Sequence, residues 1–62
     1  MCQSNAYVLR NGEKELFMED VSEVIPQDKG WTLVGMLGEK KFVEASIERL
    51  ALTDHEIVLR EN

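Results

Sequence analysis

Tight-turn signals cut this chain into short segments, and they constrain its fold more than anything else in it. Asn11-Gly12 stands between Ala6-Tyr7-Val8-Leu9-Arg10 and the run Glu13 to Met18. A type I′ turn needs positive φ at both central residues, which Asn-Gly supplies, so the first strand is expected to fold back on the second. In that second strand Glu15 and Phe17 alternate with Leu16 and Met18. Glu19-Asp20 reads as a break, and Val21-Ser22-Glu23-Val24-Ile25 as a third strand ended by Pro26, which has no ladder donor. Gln27-Asp28-Lys29-Gly30 is turn chemistry, with Gly30 suited to a left-handed position.

Trp31 to Leu37 is the most apolar stretch. Trp31, Leu33 and Leu37 share one parity while Val34 and Met36 share the other, as expected of a central strand apolar on both faces. Gly35 within it marks a bend or bulge of the kind that curls a small sheet. Gly38-Glu39 makes another tight turn, and Lys40 to Ala45 is the return strand. In Ser46 to Ala51 the apolar Ile47 and Leu50 are three apart, a helical spacing in a stretch too short for a stable helix. The segment 46–51 therefore reads as a 3₁₀ turn or a kinked connection. Leu52-Thr53-Asp54-His55 turns again, and Glu56 to Arg60 is the final strand. This pattern predicts an all-β fold over one domain, residues 1–62. It is either a small antiparallel SH3-like or Sm-like barrel or a strongly curved sheet of about six short strands.

Sixty-two residues lie near the lower limit for a self-sufficient core. Cys2 is the only cysteine, so no disulfide can form within the chain, and idealised packing or oligomerisation must supply the missing stability. A dimer is expected on that ground alone. No apolar run approaches a membrane span and the N-terminus has no signal-peptide pattern, which predicts a cytoplasmic protein with a reduced thiol. The net charge of −5 opposes a phosphate backbone and suits a cation, although it also serves solubility.

The position of Cys2 gives it particular chemistry. With Met1 retained, the terminal amine, the deprotonated Cys2 amide and the thiolate can close two fused five-membered rings on one metal. With Met1 removed, the Cys2 amine and thiolate still close one. Nitrogen and thiolate donors in a tetragonal arrangement favour Ni(II) or Cu(II), while Zn(II) prefers a tetrahedral set. One chain offers too few ligands for a closed site, and two N-termini meeting at a symmetry axis would complete it. Against this stands the commoner reading of a lone cysteine as an incidental residue on a frayed terminus.

Other candidates carry less. His55 is a potential secondary ligand, with Asp54 beside it as its partner or as a simple turn former. Glu19-Asp20 could supply half of a hard-metal site, but acidic pairs between strands are usually solvated. Tyr7, Trp31 and Phe42 could stack on nucleic acid in a small barrel, yet Lys40-Lys41 is the only adjacent basic pair, so core packing of the aromatics is the simpler expectation. Catalysis by Cys2 would need a base and a pocket that a chain terminus does not provide, so no enzyme is expected. Two Cys2 thiols at a dimer axis could also pair on oxidation.

Three stretches together, Met1-Cys2-Gln3-Ser4-Asn5-Ala6-Tyr7-Val8-Leu9, Met18-Glu19-Asp20-Val21 and Leu52-Thr53-Asp54-His55-Glu56-Ile57-Val58-Leu59, resemble the CooT family of small nickel-binding proteins along the full length of the chain. The most specific element is Met-Cys at the extreme N-terminus. The resemblance implies a cytoplasmic homodimer holding one Ni(II) per dimer through Cys2 of each subunit, with the Met1 or Cys2 amine as co-ligand. It also implies a nickel-handling role, as metallochaperone or sensor, with a client such as carbon monoxide dehydrogenase. The family carries an older label as predicted RNA-binding proteins, which keeps a small-barrel RNA-binding function as the alternative.

Overall fold

A computed structural model describes residues 3–61, and all the regular structure among them is β. The strands are β1 (Ser4–Arg10), β2 (Glu13–Pro26), β3 (Trp31–Gly35), β4 (Lys40–Val43), β5 (Ala45–Ala51) and β6 (Glu56–Glu61). They form a single sheet in the order β4-β3-β2-β1-β6-β5. The all-β expectation holds, in the form of a strongly curved sheet that does not close into a barrel.

The Asn11-Gly12 turn forms as the sequence requires. Asn11 and Gly12 have φ of 52° and 79°, and Arg10 pairs with Glu13 across the hairpin. Beyond it the structure departs from the expected segmentation. Glu19-Asp20 does not break the chain, because β2 runs through it for 14 residues. The strand absorbs the irregularity as bulges instead. Ala6 faces Met18 while Tyr7 faces Leu16, and Ser4 faces Val21, so β2 carries extra residues on both sides of Met18. Asp20 takes a left-handed φ of 54° within the second bulge. Bulges bend a strand and increase its twist, and here the bend lets one strand serve two neighbours. The first part of β2 pairs with β1, and Val21 to Pro26 pairs with β3.

The segment 46–51 is neither a 3₁₀ turn nor a connection but most of β5, antiparallel to β6. Its spacing has a different cause from the one expected. Ile47 faces Leu59, Arg49 faces Val58 and Leu50 faces Ile57, so Glu48 is the extra residue of a bulge. That extra residue returns Ile47 and Leu50 to one side of the sheet, which gives a strand the three-residue spacing of a helix. The sheet is also mixed and not purely antiparallel, since β1 and β6 run parallel from Asn5 opposite Glu56 to Leu9 opposite Arg60.

The curvature follows from the connectivity. β4 and β5 are the two edges of the sheet, yet Glu44 alone separates them in the chain. A one-residue link forces the edges together at that corner, and Val43 and Ala45 on either side of it both enter the core. Ala6, Val8, Met18, Val21, Leu33, Ile57 and Leu59 complete the buried cluster, with Phe17, Val24, Trp31 and Ile47 packed against it. Leu33, Leu59 and Val8 are the largest fully buried side chains. Each contributes about 1.5–3 kcal/mol by leaving water.

Gly30 has a role other than the left-handed turn position. The described glycines with positive φ are Gly12 and Gly38. At Gly30 a Cβ would collide with the Val43 carbonyl oxygen and lie 2.9 Å from the Glu44 Cα, so the residue lets the start of β3 touch the corner between the edges.

Candidate functional site

The Glu19-Asp20 and Asp54-His55 segments meet at the N-terminal end of β1. Ser4 pairs with Val21, and the backbone N–H of Asn5 donates to the carbonyl of His55 at 2.9 Å. The Asn5 side-chain oxygen accepts the Asp20 N–H at 3.2 Å. The Asp20 carbonyl in turn accepts the Met36 N–H at 3.1 Å. One short strand end therefore joins the bulge of β2, the β3–β4 turn and the β5–β6 turn. Asp20 and His55 both adopt left-handed φ, 54° and 55°, which suits the tight corners that present their backbones to Asn5.

Met1 and Cys2, the expected metal ligands, lie outside the described residues. His55 ends the turn after β5 with an exposed side chain, and its N–H reaches the Leu52 carbonyl at 3.4 Å. Asp54 is exposed in the same turn. Glu19 and Asp20 are exposed on the bulge. Among the described residues no group of three or more His, Cys, Asp or Glu side chains is placed to hold a metal ion.

The expectation that the aromatics pack in the core holds for Trp31, which lies against it, and not for Phe42, which is more than half exposed. Trp31 faces Val43 and Thr32 faces Phe42 across the β3–β4 pair, so Trp31 and Phe42 project to opposite sides. Tyr7 lies strands away under the Lys14 ammonium, 4.8 Å from its ring centre, with Lys14 also paired to Glu56 at 3.1 Å. No common stacking platform results. Of the basic pair, Lys41 donates to the Phe17 carbonyl at 3.3 Å and sits 5.3 Å from the Phe17 ring centre.

One feature was misread in the sequence. Met36 and Leu37, expected within the central strand, fall in the turn after β3 ends at Gly35. The turn is closed by Gly35 N–H to Glu39 carbonyl and Gly38 N–H to Gly35 carbonyl bonds, of 2.8 and 3.0 Å. With Leu16, Met18 and Lys41 it borders an open groove of about 470 Å³. The signal was present in Gly35 and Gly38, two glycines that bracket an apolar pair.

No helix among the described residues is long and apolar enough to cross a membrane. Comparison with curated proteins finds no match. Among solved structures, a crystal structure described as CooT from Carboxydothermus hydrogenoformans matches with a TM-score of 0.91 and 36% identity, over 98% of each chain. Residues 1–60 match the family described as CO dehydrogenase accessory protein CooT, a family of accessory proteins and not of catalysts. The chain belongs to the CooT family.

Proposed function

We propose that this protein is a Ni(II)-binding homodimer of the cytoplasm that handles nickel for carbon monoxide dehydrogenase, as a metallochaperone or a sensor. Cys2 of each subunit, with the Met1 or Cys2 amine, holds one ion per dimer at the interface. The observation that carries this reading is the family match, which begins at residue 1 and so includes the Met1-Cys2 pair. Thiolate and amine donors suit Ni(II), and a terminal site can exchange its ligands without unfolding the sheet. The hydrogen bonds at Asn5 support it further, since they anchor the strand three residues after Cys2. His55 shares that anchor through its carbonyl and is the secondary ligand to test. The small-barrel RNA-binding alternative gains nothing from aromatics that face apart on an acidic chain.

Nickel titration of the wild type and of Cys2→Ser tests the proposal, with thiolate-to-nickel charge-transfer absorption as the readout. The expected result is a band saturating at one ion per dimer in the wild type and its loss in Cys2→Ser. Equal stoichiometry and affinity in the two proteins would refute the metal assignment. Sedimentation is expected to show a dimer with or without metal, and a strict monomer would remove the bridging arrangement.

A further inference from the structure

Leu37, at the tip of the β3–β4 turn, is 88% exposed, and Met36 and Leu16 beside it are more than half exposed. Single apolar residues on a surface need no explanation, but these three line one groove. Glu19 and Asp20 line the same groove, and neither makes an ion pair among the described residues. The cation on its wall, Lys41, is already engaged with the Phe17 ring and carbonyl. The groove thus presents an apolar floor and wall beside unneutralised carboxylates. A second copy related by a two-fold axis through this groove would bring the same carboxylates against them, and like charges brought together oppose docking. The complementary occupant carries an apolar side chain flanked by Lys or Arg.

The position of the groove points to the kind of partner. The Asp20 carbonyl takes the Met36 N–H while the Asp20 N–H is held by Asn5, so the groove wall is bonded directly to the start of β1. That strand follows Cys2 in the chain. We propose that the groove between Leu16, Met36 and Leu37 is the docking surface for the enzyme that receives the metal, through a segment bearing an apolar residue flanked by Lys or Arg. This rests on the delivery reading given above. Docking there brings the recipient to the end of the sheet at which β1 begins.

The test measures association of the metal-free protein with nickel-free carbon monoxide dehydrogenase by biolayer interferometry. Leu37→Ser and Glu19→Lys are the groove variants, both at exposed positions. Leu52→Ser is the control, since Leu52 is 80% exposed and does not line the groove. The groove variants are expected to bind about tenfold more weakly, as for anchor residues of an interface, while the control matches the wild type. Added salt is expected to weaken wild-type binding. Unchanged affinity in both groove variants, an equal loss in Leu52→Ser, or no association of the wild type would each overturn the proposal. So would conversion of a wild-type dimer to a monomer by Leu37→Ser, which would assign the groove to a second copy. Metal-free protein is used so that a failed nickel titration and a failed docking experiment are read separately.

Discussion

The Asn5 side-chain oxygen accepts the Asp20 N–H at 3.2 Å across the second bulge of the β1–β2 ladder, between the Ser4–Val21 and Ala6–Met18 pairs. It takes the place of a ladder acceptor that the bulge has displaced. Removing it in Asn5→Ala leaves that N–H, on an exposed bulge, to water, so the expected cost is about 0.5–1.5 kcal/mol, seen as a lower urea midpoint at unchanged slope. Asn5→Asp keeps an acceptor oxygen at the same place and is expected to recover much of the loss. A midpoint for Asn5→Ala equal to the wild type would show that the bond contributes nothing net.

Asp20 and His55, the two backbones that Asn5 engages, share a left-handed conformation that side chains branched at Cβ tolerate poorly. Asp20→Val and His55→Val are each expected to lower stability by about 1–2 kcal/mol. Glycine at either position relieves that strain but adds unfolded-state entropy, so Asp20→Gly and His55→Gly are expected to fall within about 1 kcal/mol of the wild type. Thermal unfolding of the four variants checks the order. A valine variant as stable as its glycine counterpart would mean that the corner relaxes to negative φ.

The same residues show how far the sequence could be read. Asn11-Gly12 announced its hairpin because a two-residue turn is specified by its own φ requirements. Glu19-Asp20 reads as a break in the sequence, whereas the pairing that carries β2 through it comes from Ser4 and Gly35 on neighbouring strands. Glu48 hid β5 by the same logic, since a bulge shifts the parity by which strands are recognised. The parallel β1–β6 pair joins residues about fifty positions apart and leaves no local mark. Cys2 was legible as chemistry alone, from its place beside the terminal amine.

Arg10 binds Glu61 through both of its forks, Nε to Oε1 at 3.1 Å and Nη2 to Oε2 at 3.2 Å, and reaches Glu15 at 3.1 Å with its other nitrogen. The Glu61 hydrogen bonds, followed by its charge and then by the Glu15 bond and charge, raise the Arg10 pKa above the ordinary guanidinium value. For a cation whose folded pKa is raised, the stabilisation is complete below the unfolded value and is lost only as pH rises through the folded one. Its window therefore lies in strong alkali, and the protonation of Arg10 adds no pH dependence between pH 6 and 9. Arg10→Lys cannot reproduce the paired contacts, and because the cluster is exposed the expected destabilisation is small and shrinks with added salt. Denaturation midpoints at low and high salt check this, and a large loss that persists in high salt would contradict it.

Gly30 and Gly35 meet different obstacles, and the difference decides which of them can be replaced. A Cβ at Gly30 would run into backbone, the Val43 carbonyl and the Glu44 Cα, at the one-residue corner joining the two sheet edges. That backbone cannot retreat without parting the edges, so Gly30→Ala is expected to cost about 2 kcal/mol or more. A Cβ at Gly35 would run into the Glu39 carboxylate, the far end of a flexible side chain whose Oε1 accepts the Leu37 N–H at 3.1 Å. Gly35→Ala is expected to displace that carboxylate and cost about 1 kcal/mol, the scale of one exposed hydrogen bond. In the background of Glu39→Ala the Gly35→Ala change is expected to become nearly neutral, whereas Gly30→Ala keeps its full cost there. A double-mutant cycle on the chemical-denaturation midpoints measures both. Equal costs for Gly35→Ala with and without the Glu39 side chain would show that the backbone, and not the carboxylate, limits that position.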